Sequence, residues 1–196
     1  MLAMHAFQVL IVMAIAGYGV GPAGDASNAL CAEREVYVGS LEKGKMLQVP
    51  FGSERVGIYR RTDIDVQGLM SNQASQFNGG VPGWWPREKM PLSNESLHIS
   101  PLRSKVPGLF VYWIPSPVYG CYVIHAPLGS ELATSIARGW TGGFFDPCEG
   151  TGYDYSGRPV PAALDIETPK ELQALPLCLP SYRIDKNATT IILECS

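Results

Sequence analysis

Glycine and proline punctuate this chain every few residues, 21 of the first and 16 of the second in 196. Such spacing favours short strands joined by turns over long helices, so an all-β domain is the first expectation. Glu35-Val36-Tyr37-Val38 alternates polar and apolar residues as a half-buried strand does. A turn at Glu42-Lys43-Gly44 precedes further strands over residues 46–50 and 55–61. Residues 63–76 suit a short helix. Residues 77–100 carry Gly79-Gly80, Pro82-Gly83, Trp84-Trp85-Pro86 and Pro91 and read as a long irregular loop. Residues 109–114 form the most apolar strand, ending at Pro115. Glycine and proline dominate again over 116–161, residues 168–181 make a Leu/Pro-rich excursion, and residues 189–193 close the chain as a strand.

The N-terminus differs from the rest. No Lys, Arg, Asp or Glu precedes Asp25, and the run Val9-Leu10-Ile11-Val12-Met13-Ala14-Ile15-Ala16 leads into a glycine-rich stretch. Residues 1–29 read either as a signal peptide, cleaved near Gly24-Asp25-Ala26 or Ser27-Asn28-Ala29, or as a retained apolar helix anchoring the chain. Either way the domain over 33–196 is expected to be exported. With 15 Lys and Arg against 18 Asp and Glu, and no basic stripe, nucleic acid is not an expected partner.

Five cysteines (Cys31, Cys121, Cys148, Cys178, Cys195) include no Cys-x-x-Cys pair, and His5, His98 and His125 are scattered. That is a poor endowment for zinc, and export makes disulfides the default use of cysteine. No serine or cysteine nucleophile has an evident histidine partner, which argues against a hydrolase.

Two glycine-flanked cysteine boxes organise the middle of the chain. The first is Ser116-Pro117-Val118-Tyr119-Gly120-Cys121. The second is Phe144-Phe145-Asp146-Pro147-Cys148-Glu149-Gly150-Thr151-Gly152-Tyr153-Asp154-Tyr155-Ser156-Gly157-Arg158. The second is similar to the Rieske iron–sulfur signature C-P-C-H-G-S-x-Y-D-x-x-G-R, and the first to its partner C-T-H-L-G-C. Residues 35–62, down to the Arg60-Arg61-Thr62 ending, resemble the opening strands of the Rieske subunit of ubiquinol–cytochrome c reductase. Pro159-Val160-Pro161 resembles that family's proline-rich loop.

The resemblance implies a Rieske-type antiparallel β-sandwich with a small inserted cluster-binding-like subdomain over 113–162. It also implies where the [2Fe-2S] ligands of the family would fall: on Ser116 and Val118 in the first box, on Asp146 and Glu149 in the second. The family's thiolates and imidazoles are all replaced, so the cluster is expected to be lost and no metal to take its place. The remaining cysteines of the two boxes, Cys121 and Cys148, match the pair that the family joins as a disulfide; unpaired core thiols are the other reading. Thr151 and Tyr153 stand where the family places hydroxyls bonded to cluster sulfurs. Asp146 and Glu149 read as ordinary turn carboxylates, with a replacement metal site built from them and His125 as the alternative.

These residues lead to a structural or docking subunit without redox chemistry. Its expected partner is a membrane complex of cytochrome bc or related respiratory type, on the periplasmic or intermembrane-space face, with Trp84, Trp85, Tyr119 and Tyr155 as aromatic anchors. The competing reading is a cluster-bearing electron-transfer subunit of ubiquinol–cytochrome c reductase.

Overall fold

The computed structural model describes residues 32–71, 100–117, 119–132, 140–160 and 175–195. Within them the order is β1 (Arg34–Tyr37), β2 (Met46–Phe51), β3 (Glu54–Arg60), α1 (Asp63–Ser71), β4 (Leu109–Trp113), β5 (Ile124–Pro127), β6 (Gly142–Asp146), β7 (Thr151–Tyr153), β8 (Tyr182–Ile184) and β9 (Thr190–Leu193). The strands make three antiparallel sheets, β1-β9-β8, β2-β3-β4 and β5-β6-β7.

Local sequence sets the turns. Phe51 pairs with Glu54, leaving Gly52 and Ser53 as a two-residue loop. Hairpins this short need a positive φ, and Gly52 adopts +60°. The helix starts on a reciprocal cap: Asp65 N–H donates to Thr62 Oγ1 at 3.1 Å, and Thr62 N–H donates to Asp65 Oδ2 at 2.7 Å.

β4 is buried on both faces, which is why its sequence shows no polar alternation. Leu109 and Val111 join Val56, Ile58, Val36, Val38, Ile191 and Leu193 in one core, shared with the β1-β9-β8 sheet. Phe110 and Tyr112 point the other way, into a second core with Tyr59, Phe144, Tyr153, Tyr155, Leu177 and Leu179. The β2-β3-β4 sheet is therefore the middle layer. Each large apolar side chain so buried contributes on the order of 1.5–3 kcal/mol.

Two buried arginines tie loops onto these cores. Arg61 donates to the carbonyls of Tyr155, Pro107 and Leu102 and to Ser104 Oγ. Arg103 donates to the carbonyls of Ser156, Gly157 and Leu177. Carbonyl dipoles thus face both of these guanidinium groups.

Several expectations change. Residues 116–161, where glycine and proline dominate, hold three strands among the described residues. Their pattern is hidden by Gly142-Gly143 in β6: a Cβ on Gly143 would lie 1.9 Å from the Tyr153 carbonyl oxygen. The Leu/Pro-rich segment is no excursion where it is described, because Leu177 and Leu179 lie inside the second core. Residues 1–31, including the proposed leader and Cys31, lie outside the described residues, as do residues 72–99 and 161–174. Among the described residues, no helix is long and apolar enough to cross a membrane.

Candidate functional site

The loop that follows β4 closes on itself. Ser116 N–H donates to the Cys121 carbonyl at 2.7 Å, and Gly120 N–H donates back to the Ser116 carbonyl at 3.1 Å. Pro115 and Tyr122 bridge its base. A second loop joins β6 to β7, with Asp146 opposite Thr151. Gly150 N–H donates to the Asp146 carbonyl at 2.9 Å. The Asp146 side chain caps the same turn, its Oδ1 accepting from the N–H groups of Cys148 at 2.8 Å and Glu149 at 3.4 Å. The Cys121–Cys148 disulfide fastens the two loops together, with the Cα atoms 6.3 Å apart. Cys195 is also disulfide-bonded, and half-buried Cys178 accepts the Trp113 N–H on its carbonyl.

Beyond β7, Asp154 organises the next turn. Its Oδ1 accepts from Ser156 N–H, Ser156 Oγ and Arg158 N–H at 2.8, 2.6 and 3.0 Å. The run Tyr153-Asp154-Tyr155-Ser156-Gly157-Arg158 is thus a wound turn whose backbone also anchors Arg61 and Arg103.

Of the four positions expected to be former ligands, three are described and Val118 is not. Asp146 is 0% exposed and Ser116 4%, while Glu149 is half-buried. Asp146 is therefore a turn carboxylate but not a solvated one. Asp146 Oδ2, Glu149 Oε1, Ser116 Oγ and Tyr153 OH are all buried without a hydrogen-bond partner. Burial raises the pKa of Glu149, the Asp146 charge raises it further, and a Thr151 hydrogen bond works against both. The Tyr153 hydroxyl is held protonated by burial first, then by the charges of Glu149 and Asp146. Those charges place its hydroxyl in the field of the carboxylate pair.

His125 does not join this group. It sits in β5 with its ring 4.9 Å from Tyr59 and 6.0 Å from both Phe144 and Tyr155. Burial lowers its pKa, Asp65 opposes the shift and Lys45 adds to it. Among the described residues, the one cluster of three potential metal-ligand side chains is Asp146 with Cys121 and Cys148, and those two sulfurs are bonded to each other. Tyr155 is not a surface anchor either: it is 7% exposed and stacks on Tyr59 at 4.7 Å. Tyr119 is 70% exposed, and Tyr122 and Ile124 are exposed near it. Trp84 and Trp85 lie outside the described residues.

Sequence reasoning missed the burial of Asp146 and of the two arginines. The first had a signal, since Asp146 directly follows Phe144-Phe145 at the end of an apolar strand. Arg103, in a Ser/Pro-rich stretch, had none. No protein-family model matches the chain, and no curated protein matches it either.

Proposed function

We propose that this chain is a Rieske-type domain that carries no iron–sulfur cluster and serves as a structural or docking subunit of a respiratory membrane complex of cytochrome bc type. The donor set of the two-loop tip carries the reading. A Rieske centre takes two thiolates on one iron and two imidazoles on the other. Ser116, Asp146 and Glu149 offer oxygen, the sulfurs of Cys121 and Cys148 are joined to each other, and His125 belongs to the aromatic core. These residues do not fit the group, so no electron step is assigned to the tip. The scaffold around the absent ligands supports the kinship: two loops in the family's order, a disulfide between its two non-ligand cysteines, and a hydrogen-bonded Tyr-Asp-x-Ser-Gly-Arg turn. Exposed Tyr119, Tyr122 and Ile124 give the tip an apolar contact surface.

The test is metal and acid-labile sulfide analysis, with a visible spectrum, on protein purified without air from its native membrane or periplasm. The expected result is neither iron nor sulfide, with cytochrome b and c subunits identified by mass spectrometry in the same fraction. Two irons per chain would overturn the cluster-free reading. Recovery without any cytochrome subunit would overturn the docking reading.

A further inference from the structure

We infer that Asp146 and Glu149, with the hydroxyls of Tyr153 and Ser116 at the same disulfide-pinned tip, form a site for one hard divalent cation of the calcium or manganese class. Six buried polar side-chain atoms without a hydrogen-bond partner occur among the described residues, and four of them are Ser116 Oγ, Asp146 Oδ2, Glu149 Oε1 and Tyr153 OH. The other two, on His125 and Trp140, belong to the aromatic packing. Unpaired buried polar groups are rare in folded proteins and point to something that completes them.

The chemistry narrows what that something is. Asp146 Oδ1 is occupied by two backbone N–H groups, contacts suited to a carboxylate. Its Oδ2 lies at zero exposure with no hydrogen-bond partner, and burying a carboxylate oxygen alone is strongly unfavourable. No Lys or Arg ion-pairs with Asp146 or Glu149 among the described residues. A proton shared by the two carboxyls would relieve their repulsion but would leave the Tyr153 and Ser116 hydroxyls unpaired. A cation bound by the carboxylates satisfies Asp146 Oδ2 and Glu149 Oε1, and the waters that complete its shell bring hydrogen-bond partners to the tip that carries the two hydroxyls.

Every available donor is oxygen. Thiolates are spent in the disulfide and the nearby imidazole faces Tyr59, so soft or imidazole-seeking metals gain nothing here. With two carboxylates and water completing the shell, affinity falls in the range of weak extracellular calcium modules, on the order of 10⁻⁴–10⁻³ M. The inference needs the carboxylate pair and not the docking partner, so it stands or falls separately from the proposed function.

The test is a Mn²⁺ titration of the chelator-stripped, disulfide-intact full chain, followed by loss of the free-ion electron paramagnetic resonance signal, with Ca²⁺ as competitor. One Mn²⁺ per chain is expected, displaced by Ca²⁺. Asp146→Asn and Glu149→Gln should each weaken binding at least tenfold. Asp63→Asn, at an exposed acid paired with Lys43, should leave it unchanged. If Asp146→Asn fails to fold, Glu149→Gln decides. No binding up to about 10 mM, well above the weak-site range, would overturn the site, as would binding that Glu149→Gln leaves intact. An infrared band of a protonated carboxyl at neutral pH, lost in Glu149→Gln and indifferent to Mn²⁺, would assign the pair to a shared proton instead.

Discussion

Burial and then the charge of Asp146 each raise the pKa of Glu149 from the ordinary 4.5, against a Thr151 hydrogen bond that lowers it. A carboxyl raised on folding binds its proton more tightly in the folded state. Its contribution is complete below about pH 4.5 and is lost as the pH climbs through the raised value. In a metal-free buffer containing chelator, Glu149→Gln is therefore expected to melt at a higher temperature than the parent at pH 7. The difference should shrink as the pH is lowered towards 4.5, and thermal unfolding at several pH values checks it. Saturating Ca²⁺ should reverse the order, because the glutamine no longer offers a charged ligand. Residue-level chemistry of this kind was only half legible in the sequence. The identities of Asp146 and Glu149 were plain, and Asp146 had one local sign of facing inward in the preceding Phe144-Phe145, but burial is a tertiary property and the Pro-Cys-Glu-Gly context gives no such sign for Glu149.

At the level of elements, the strands read well wherever one face meets a core and the other meets solvent or a neighbouring loop. β1 shows its alternation because only Val36 is buried in it. β6 shows none, since Gly142, Gly143, Phe144 and Asp146 are all buried. Its two glycines admit the close backbone approach of Tyr153, and in doing so erase the β-branched signal that marks a strand. β5 was hidden for a related reason: Pro127 ends an edge strand, where a missing N–H costs nothing. The small β5-β6-β7 sheet gains part of its stability from outside itself. The Cys121–Cys148 bond closes a span of 27 residues, worth about 3.5 kcal/mol on the chain-entropy estimate. The double variant Cys121→Ala/Cys148→Ala should lower the unfolding free energy by roughly that amount in guanidinium chloride titrations.

Across the whole molecule the middle sheet is the organising layer, and the arginines are what lock the outer loops to it. Arg103 reaches the 156–157 turn and the 177 segment at once, joining parts of the chain that the sequence separates widely. Lysine carries the charge but not the fork: its donors share one nitrogen, whereas Arg103 spreads its bonds over Nη1 and Nη2. Arg103→Lys should destabilise the domain by about 2–4 kcal/mol, since buried carbonyls are left unpaired, and proteolysis should then begin at the loops it released. This lock was invisible in advance because it depends on contacts between distant loops and not on any motif.

The bridge between the two loops has one more consequence, which concerns what the chain is able to become. A clamp that holds two loops in place independently of any metal leaves the positions that align with the Rieske ligands available for refitting. On the proposed kinship, Ser116→Cys, Val118→His, Asp146→Cys and Glu149→His together restore two thiols and two imidazoles to one pinned tip. Refolded under argon with ferrous iron and sulfide, that quadruple variant should take up two irons and turn red-brown, while the parent treated alongside it stays colourless. A variant that folds, keeps its Cys121–Cys148 bond and still takes up no iron would show that the likeness to the Rieske boxes stops at their turns.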